Sequence, residues 1–262
     1  LGIMVKKTAN LQLVFENHWY DYYKIIILDY LNFKLKKMKN LKFIALILLS
    51  ICFTTKAYSQ GYVLIHFGPS SPVSDFASDD IDDENAGGAA VGINLGLQYI
   101  YPLSESGFGL FGGIDFNYNG LKNDVKDDIE EIYEYMGIYN ASYKFFKYIN
   151  IPITTGLNYS YQADDKIGVF ANAGLALNFM KITDMEIEYN SFKLSQKMDL
   201  ANCIGFKIGG GILINQKTSI SIDYLALGEH DIEGESSISG YSDNIDGELK
   251  VNLLTLTLGI KF

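Results

Sequence analysis

His66 and His230 are the side chains of this sequence best suited by type to general acid–base work, because imidazole ordinarily titrates near neutral pH. A membrane esterase would need one of them beside a serine and an acid, yet no GxSxG-type turn surrounds any serine. A hydrogen-bonded interior histidine is therefore the expected role, and no catalytic residue is assigned. Three further charged residues, Asp115, Lys207 and Asp223, fall with His66 on the small, polar side of stretches that alternate apolar and polar residues. Charge held in a narrow, partly dry space is costly unless paired, so these four are expected to form a charge cluster that plugs the interior. The functional alternative is a constriction that selects ions or small solutes.

Carboxylates are concentrated in three other stretches. The first holds Asp75, Asp79, Asp80, Asp82, Asp83 and Glu84; the second Asp124, Asp127, Asp128, Glu130, Glu131 and Glu134; the last Glu229, Asp231, Glu233, Glu235, Asp243, Asp246 and Glu248. SDDIDDEN at 78–85 has enough oxygens for calcium, but its spacing lacks the glycine and final glutamate of an EF-hand. Solvated surface charge is the expected role, and neither metal nor organic cofactor is expected. Beyond residue 60 the chain has 12 lysines against 28 acids, a net charge of −16, and the sequence contains no arginine. Nucleic-acid binding needs a basic footprint and is excluded as an expectation. Cys52 falls in the N-terminal region and Cys203 has no mate, so no disulfide framework is expected.

The N-terminal region reads as targeting sequence. From Met38 a basic start (Lys39, Lys42) is followed by an apolar run from Phe43 to Phe53 and a small polar stretch ending Ala57, Tyr58, Ser59, Gln60. This is the order of a secretory signal peptide, and about 11 apolar residues are too few for a membrane helix of roughly 20. Ile51 before Cys52 argues against a lipid-attachment motif. The expected organisation is an upstream extension over 1–37 from an over-extended reading frame, a signal peptide over 38–60 and one domain over 61–262.

That domain must position the charged residues, and its periodicity says how. In 250–262, Leu254, Leu256, Leu258, Ile260 and Phe262 alternate with Thr255, Thr257, Gly259 and Lys261, the period of a strand with two unlike faces. Similar runs fall at 61–69, 88–101, 107–119, 145–161, 166–180, 201–214 and 217–228, which makes eight strands. The outward set is expected to include Ala89, Val91, Ile93 and Leu95, with Tyr99, Tyr101, Tyr118, Tyr159 and Tyr161 as interfacial girdles. An unpartnered polar group in hydrocarbon costs several kcal/mol, so the apolar face must be the outer one. Connections alternate between long (about 70–87, 120–143, 182–199 and 229–247) and short (near 102–106, 162–165 and 215–216). The fold class expected is all-β, an eight-stranded antiparallel transmembrane β-barrel with long extracellular loops. Leu121, Val125, Ile129, Ile132 and Met136 at helical spacing predict a short amphipathic helix in one of them, capping the barrel.

The opening GYVLIHFGPSSPVSDF with Pro69, Ser70 and Phe76, the YINIPI element at Tyr148 to Ile153 and the terminal Phe262 resemble the PorT-like and OmpA-like outer-membrane β-barrel families over about residues 61–262. The resemblance implies an eight-stranded barrel and recognition of the C-terminal strand, ending at Phe262, by the barrel assembly machinery. It transfers no catalytic residue. The expected function is a non-enzymatic structural, adhesive or assembly-partner role through acidic external loops, with a narrow pore or small-solute transporter as the alternative and a lipid-modifying barrel enzyme behind it. Expected partners are outer-membrane lipid, lipopolysaccharide and an extracellular or periplasmic protein. A soluble ligand-binding barrel is the competing fold and would need its larger apolar face inside.

Overall fold

The computed structural model describes residues 61–262 apart from 81, 82, 84, 104, 191, 239 and 240, so the extension expected over 1–37 and the signal peptide over 38–60 lie outside the described residues. Among the described residues eleven strands and one α-helix follow in chain order: β1 (Tyr62–Pro72), β2 (Gly92–Pro102), β3 (Phe108–Asn119), α1 (Asn123–Tyr135), β4 (Ser142–Lys144), β5 (Tyr148–Gln162), β6 (Ile167–Ile182), β7 (Met185–Tyr189), β8 (Phe192–Met198), β9 (Leu200–Ile214), β10 (Thr218–Ile238) and β11 (Tyr241–Lys261). A 3-10 turn covers Ser74–Ala77.

Eight of the strands close a ring. Antiparallel pairing runs β1, β2, β3, β5, β6, β9, β10, β11 and returns to β1, where Leu64 faces Lys261 and Pro72 faces Leu253. Closure removes the free edges that an open sheet would expose. Short turns join β2 to β3, β5 to β6 and β9 to β10, and β1 begins where β11 finishes, at that same end. The other end carries α1 and a three-stranded annex in which β8 pairs with β10, β7 with β8 and β4 with β7.

Alternation sets the two faces. Leu256 is 49% exposed, while Thr255 and Thr257 on either side are 2% and 1% exposed. Ile93, Leu95, Leu110, Ile153, Leu175, Ile204 and Ile222 also face outward, against inward Asn94, Asn117, Thr154, Asn172, Lys207 and Asp223. The barrel is therefore inside-out, with an apolar belt suited to hydrocarbon, and the soluble-barrel alternative fails because the larger apolar face points outward.

Three expectations need correction. The segments at 182–199 and 229–247 are largely strand, forming the β7–β8 hairpin and the upper halves of β10 and β11. For 229–247 the reason is a β-bulge at Leu227: Ala226 faces Asn252 and Gly228 faces Val251, so the alternation along β10 reverses. Ile220 and Ile222 point outward before the bulge, whereas His230 and Ile232 point inward after it. Gly228 has φ +87° and a Cβ there would lie 2.6 Å from Cys203 Sγ, so only glycine fits. Ala89 is buried, not outward, because it forms a β-bridge with Leu121 before β2 begins. Finally, α1 buries Val125, Ile129 and Tyr133; Tyr133 takes the place expected for Ile132, which is only half-buried. The helix is closed by Gly137 at φ +84°, whose N–H reaches the Glu134 carbonyl.

Candidate functional site

Pairing register brings the four lumenal charged residues to one layer. His66 and Asp115 both lie opposite Gly96, from β1 and β3, while Asp223 of β10 lies opposite Gly209 of β9. His66 Nε2 is 2.7 Å from Asp115 Oδ1, which places the imidazole proton between them. Lys207 Nζ sits 3.6 Å from Asp115 Oδ2 and 3.5 Å from Asp223 Oδ2, contacts of an ion pair rather than tight hydrogen bonds. Asn94 adds a donor, its Nδ2 3.3 Å from Asp115 Oδ1. All four side chains are buried, Lys207 to 2% exposure.

Space for this layer is supplied by glycine. A Cβ on Gly96 would stand 2.3 Å from both Asp115 Oδ1 and His66 Nε2, and one on Gly209 would stand 1.9 Å from Asp223 Oδ1. Amide and hydroxyl pairs fill the lumen around the cluster: Asn158 donates to Asn172 at 2.8 Å, Ser221 and Thr257 meet at 2.8 Å, and Asn94 donates to Asn117 at 3.0 Å. An eight-stranded interior is about wide enough for side chains to fill, and these do so.

Higher in the barrel the interior changes character. Asn178 Nδ2 donates to Asn150 Oδ1 at 2.8 Å and to His230 Nε2 at 2.9 Å. Beside and beyond it lies an apolar cluster: Leu225, Leu227, Leu249, Val251 and Leu253 from β10 and β11, Ile187 and Leu194 from the annex and Phe76 from the 3-10 turn, none of them singled out as core by the sequence pattern, together with the expected stripe of α1. Phe76 packs edge-on to Tyr148 with centroids 4.9 Å apart, and the Tyr148 hydroxyl donates to the Gly87 carbonyl. This crown closes the long-loop end. The annex carries ion pairs on its outer face, where Glu186 receives Lys144 at 2.5 Å and Lys193 at 3.2 Å, and Lys193 also reaches Glu188 at 2.6 Å. Hydrogen bonds from the two lysines hold the Glu186 carboxyl below its ordinary range, and hydrogen bonds to carboxylates raise the pKa of both lysines.

Among the described residues the side-chain partners of the two histidines are Asp115 for His66 and Asn178 for His230. No group of three or more His, Cys, Asp or Glu side chains that could hold a metal ion converges among the described residues, and SDDIDDEN lies partly outside them. Phe262 ends the outward stripe of β11 at 72% exposure, its backbone paired in both directions with Val63.

No family model and no curated protein matches the chain. Solved structures that resemble it include Neisserial surface protein A, at 13% identity and a TM-score of 0.41 over 77% of this chain and 95% of that one. The outer membrane protein OprG from Pseudomonas aeruginosa gives 14% and 0.43, over 79% and 98%. A major outer membrane protein from Thermus thermophilus also gives 14% and 0.43, over 78% and 100%. These likenesses carry no residue role or activity to this chain, whose fold rests on its own strand pairing.

Proposed function

We propose that this chain is an integral outer-membrane β-barrel without enzymatic activity. Its closed lumen acts as a scaffold, and its folded acidic crown meets an extracellular partner in a structural, adhesive or assembly role. The observation that carries this reading is the double filling of the interior: a buried ionic layer below and an apolar cluster above leave transport no polar path. The apolar belt, the short turns at one end and the elaborated opposite end support the outer membrane as its location. So does the resemblance of residues 61–262 to PorT-like and OmpA-like barrels, which also implies that the barrel assembly machinery reads the strand ending at Phe262.

The test is reconstitution of the folded protein in planar bilayers, after its recovery in outer membranes and a heat-dependent shift in gel mobility have been scored. Absence of unitary conductance is the expected result. Steady single-channel steps would overturn the closed scaffold in favour of the narrow pore, and a soluble, non-shifting protein would overturn the barrel.

A further inference from the structure

Above the lipid belt one edge of the sheet is open. Main-chain direction alternates along β11: the Lys261 N–H goes to the Lys217 carbonyl on the β10 side, whereas Phe262 exchanges hydrogen bonds with Val63, and the Asn252 carbonyl accepts from Val73, on the β1 side. Even-numbered residues of β11 therefore turn their N–H and C=O groups toward β1. Register with β1 ends where Pro72 faces Leu253, and β1 then turns away into the 3-10 turn, which packs against β11. Among the described residues no strand pairs with this side of β11 above that point. Ser242, Asn244, Asp246, Glu248 and Lys250 carry the open row, and all are exposed. The terminal strand at the far end of the annex, β4, is only three residues long.

The outward side chains define what a further strand would carry. Charge alternates strand by strand across the annex: Lys144 on β4, Glu186 and Glu188 on β7, Lys193 and Lys197 on β8, Glu233 and Glu235 on β10. Ion pairs run across β4, β7 and β8, and register sets Lys197 opposite Glu235. At β11 the series breaks. Lys250 at the foot of the row faces Glu229, but above it Glu248 faces Asp231 and Asp246 faces Glu233, acid against acid. Like charges directly opposite are destabilising, so the arrangement favours a cationic strand on the far side of β11. It opposes a second copy of this chain there, because the edge of the copy would bring the same carboxylates against Asp246 and Glu248.

We infer that the upper edge of β11 is a docking site for an extended, lysine- or arginine-rich segment of a partner protein, which adds to the sheet as a further strand. The inference rests on the partner role proposed for the crown and names the chemistry of that partner. Main-chain pairing along Asn244 to Glu248 supplies affinity. Cationic side chains set beside Asp246 and Glu248 supply selectivity and continue the strand-by-strand alternation of charge.

The test is fluorescence anisotropy of the folded protein in lipid nanodiscs, with a labelled octapeptide of alternating lysine and threonine as probe. The same peptide N-methylated at every residue, which cannot pair through its main chain, and an octapeptide of alternating glutamate and threonine are each expected to bind roughly tenfold more weakly or worse. Asn244→Pro removes one edge N–H without touching the ladder to β10 and is expected to weaken the lysine peptide several-fold. D246K/E248K is expected to weaken it roughly tenfold or more. The control Ser142→Pro on β4 is expected to bind as wild type. Failure of the lysine peptide to bind, equal binding of the N-methylated or the glutamate peptide, no effect of Asn244→Pro, or an equal loss in Ser142→Pro would each overturn the inference. Heat-dependent gel mobility and bilayer conductance of the same preparation separate the two failures. A barrel that shifts and does not conduct, yet binds no lysine peptide, loses the docking edge alone; one that conducts or does not shift loses the scaffold reading beneath it.

Discussion

The lower and upper halves of the β10–β11 hairpin obey opposite rules. Below, Leu254, Leu256, Leu258 and Ile260 face out while Ser219, Ser221, Asp223, Thr255 and Thr257 face in. Above, Glu229, Asp231, Glu235 and Glu248 face out while Ile232, Ile245, Leu249 and Val251 face in. The chain is continuous, so the difference comes from solvent. Where lipid surrounds the strands the outer face must be apolar and the interior takes what remains, while in water ordinary hydrophobic burial returns. One protein therefore has two cores held by different forces, a lower one of paired polar groups and an upper one of apolar contacts.

Three substitutions would break or sharpen that contrast. The largest effect is expected in the lower core. Lys207→Met removes the cation between Asp115 and Asp223, leaving buried carboxylates uncompensated at a cost of about 3–5 kcal/mol. It should appear as a lower urea midpoint for barrel unfolding in lipid vesicles, and an unchanged midpoint would mean that the ionic layer is not what holds the lumen. Next, Ile129→Ala in α1 should destabilise the crown by about 2–5 kcal/mol through the cavity it leaves. External protease should then cut within 120–147 while the barrel keeps its heat-dependent mobility. Loss of both together would show that the two cores melt as one. The smallest effect concerns the annex ion pairs. Glu186 has a folded pKa below its ordinary value, so its contribution is present above the ordinary glutamate range and disappears as pH falls through the lowered value. Amide protection factors in β7 and β8, corrected for the intrinsic exchange rate at each pH, should fall on such acidification in wild type and stay level in Glu186→Gln.

The sequence made the lower core legible and hid the upper one. With a period of two residues, Thr255, Thr257, Asp223, Lys207, Asp115 and His66 could be assigned to one face without knowing the strand register. That the four charges share one height depends on register, which parity does not contain. The crown escaped for a local reason. The bulge at Leu227 reverses the alternation, so EHDIEGE after it reads as an acidic loop although His230 and Ile232 alternate faithfully in the new phase. In β7 and β8 the inward Ile187 and Leu194 are separated by charged residues in strands of only 5 and 7 residues, too short for periodicity to declare itself. The helical stripe of α1 was visible, because Val125 and Ile129 repeat at the period of a helix rather than a strand.

The annex has a consequence for the order of events during folding. Strands β4, β7 and β8 join the sheet through β10, at Gly234 to Ile238, and the upper part of β10 is itself paired with β11. The β4–β7–β8 annex therefore has no place on the ring until β10 is formed. Such non-local pairing makes completion slow relative to local hairpins. Completion of the crown thus depends on the last hairpin of the chain, and a barrel stalled before β10 and β11 pair would lack it.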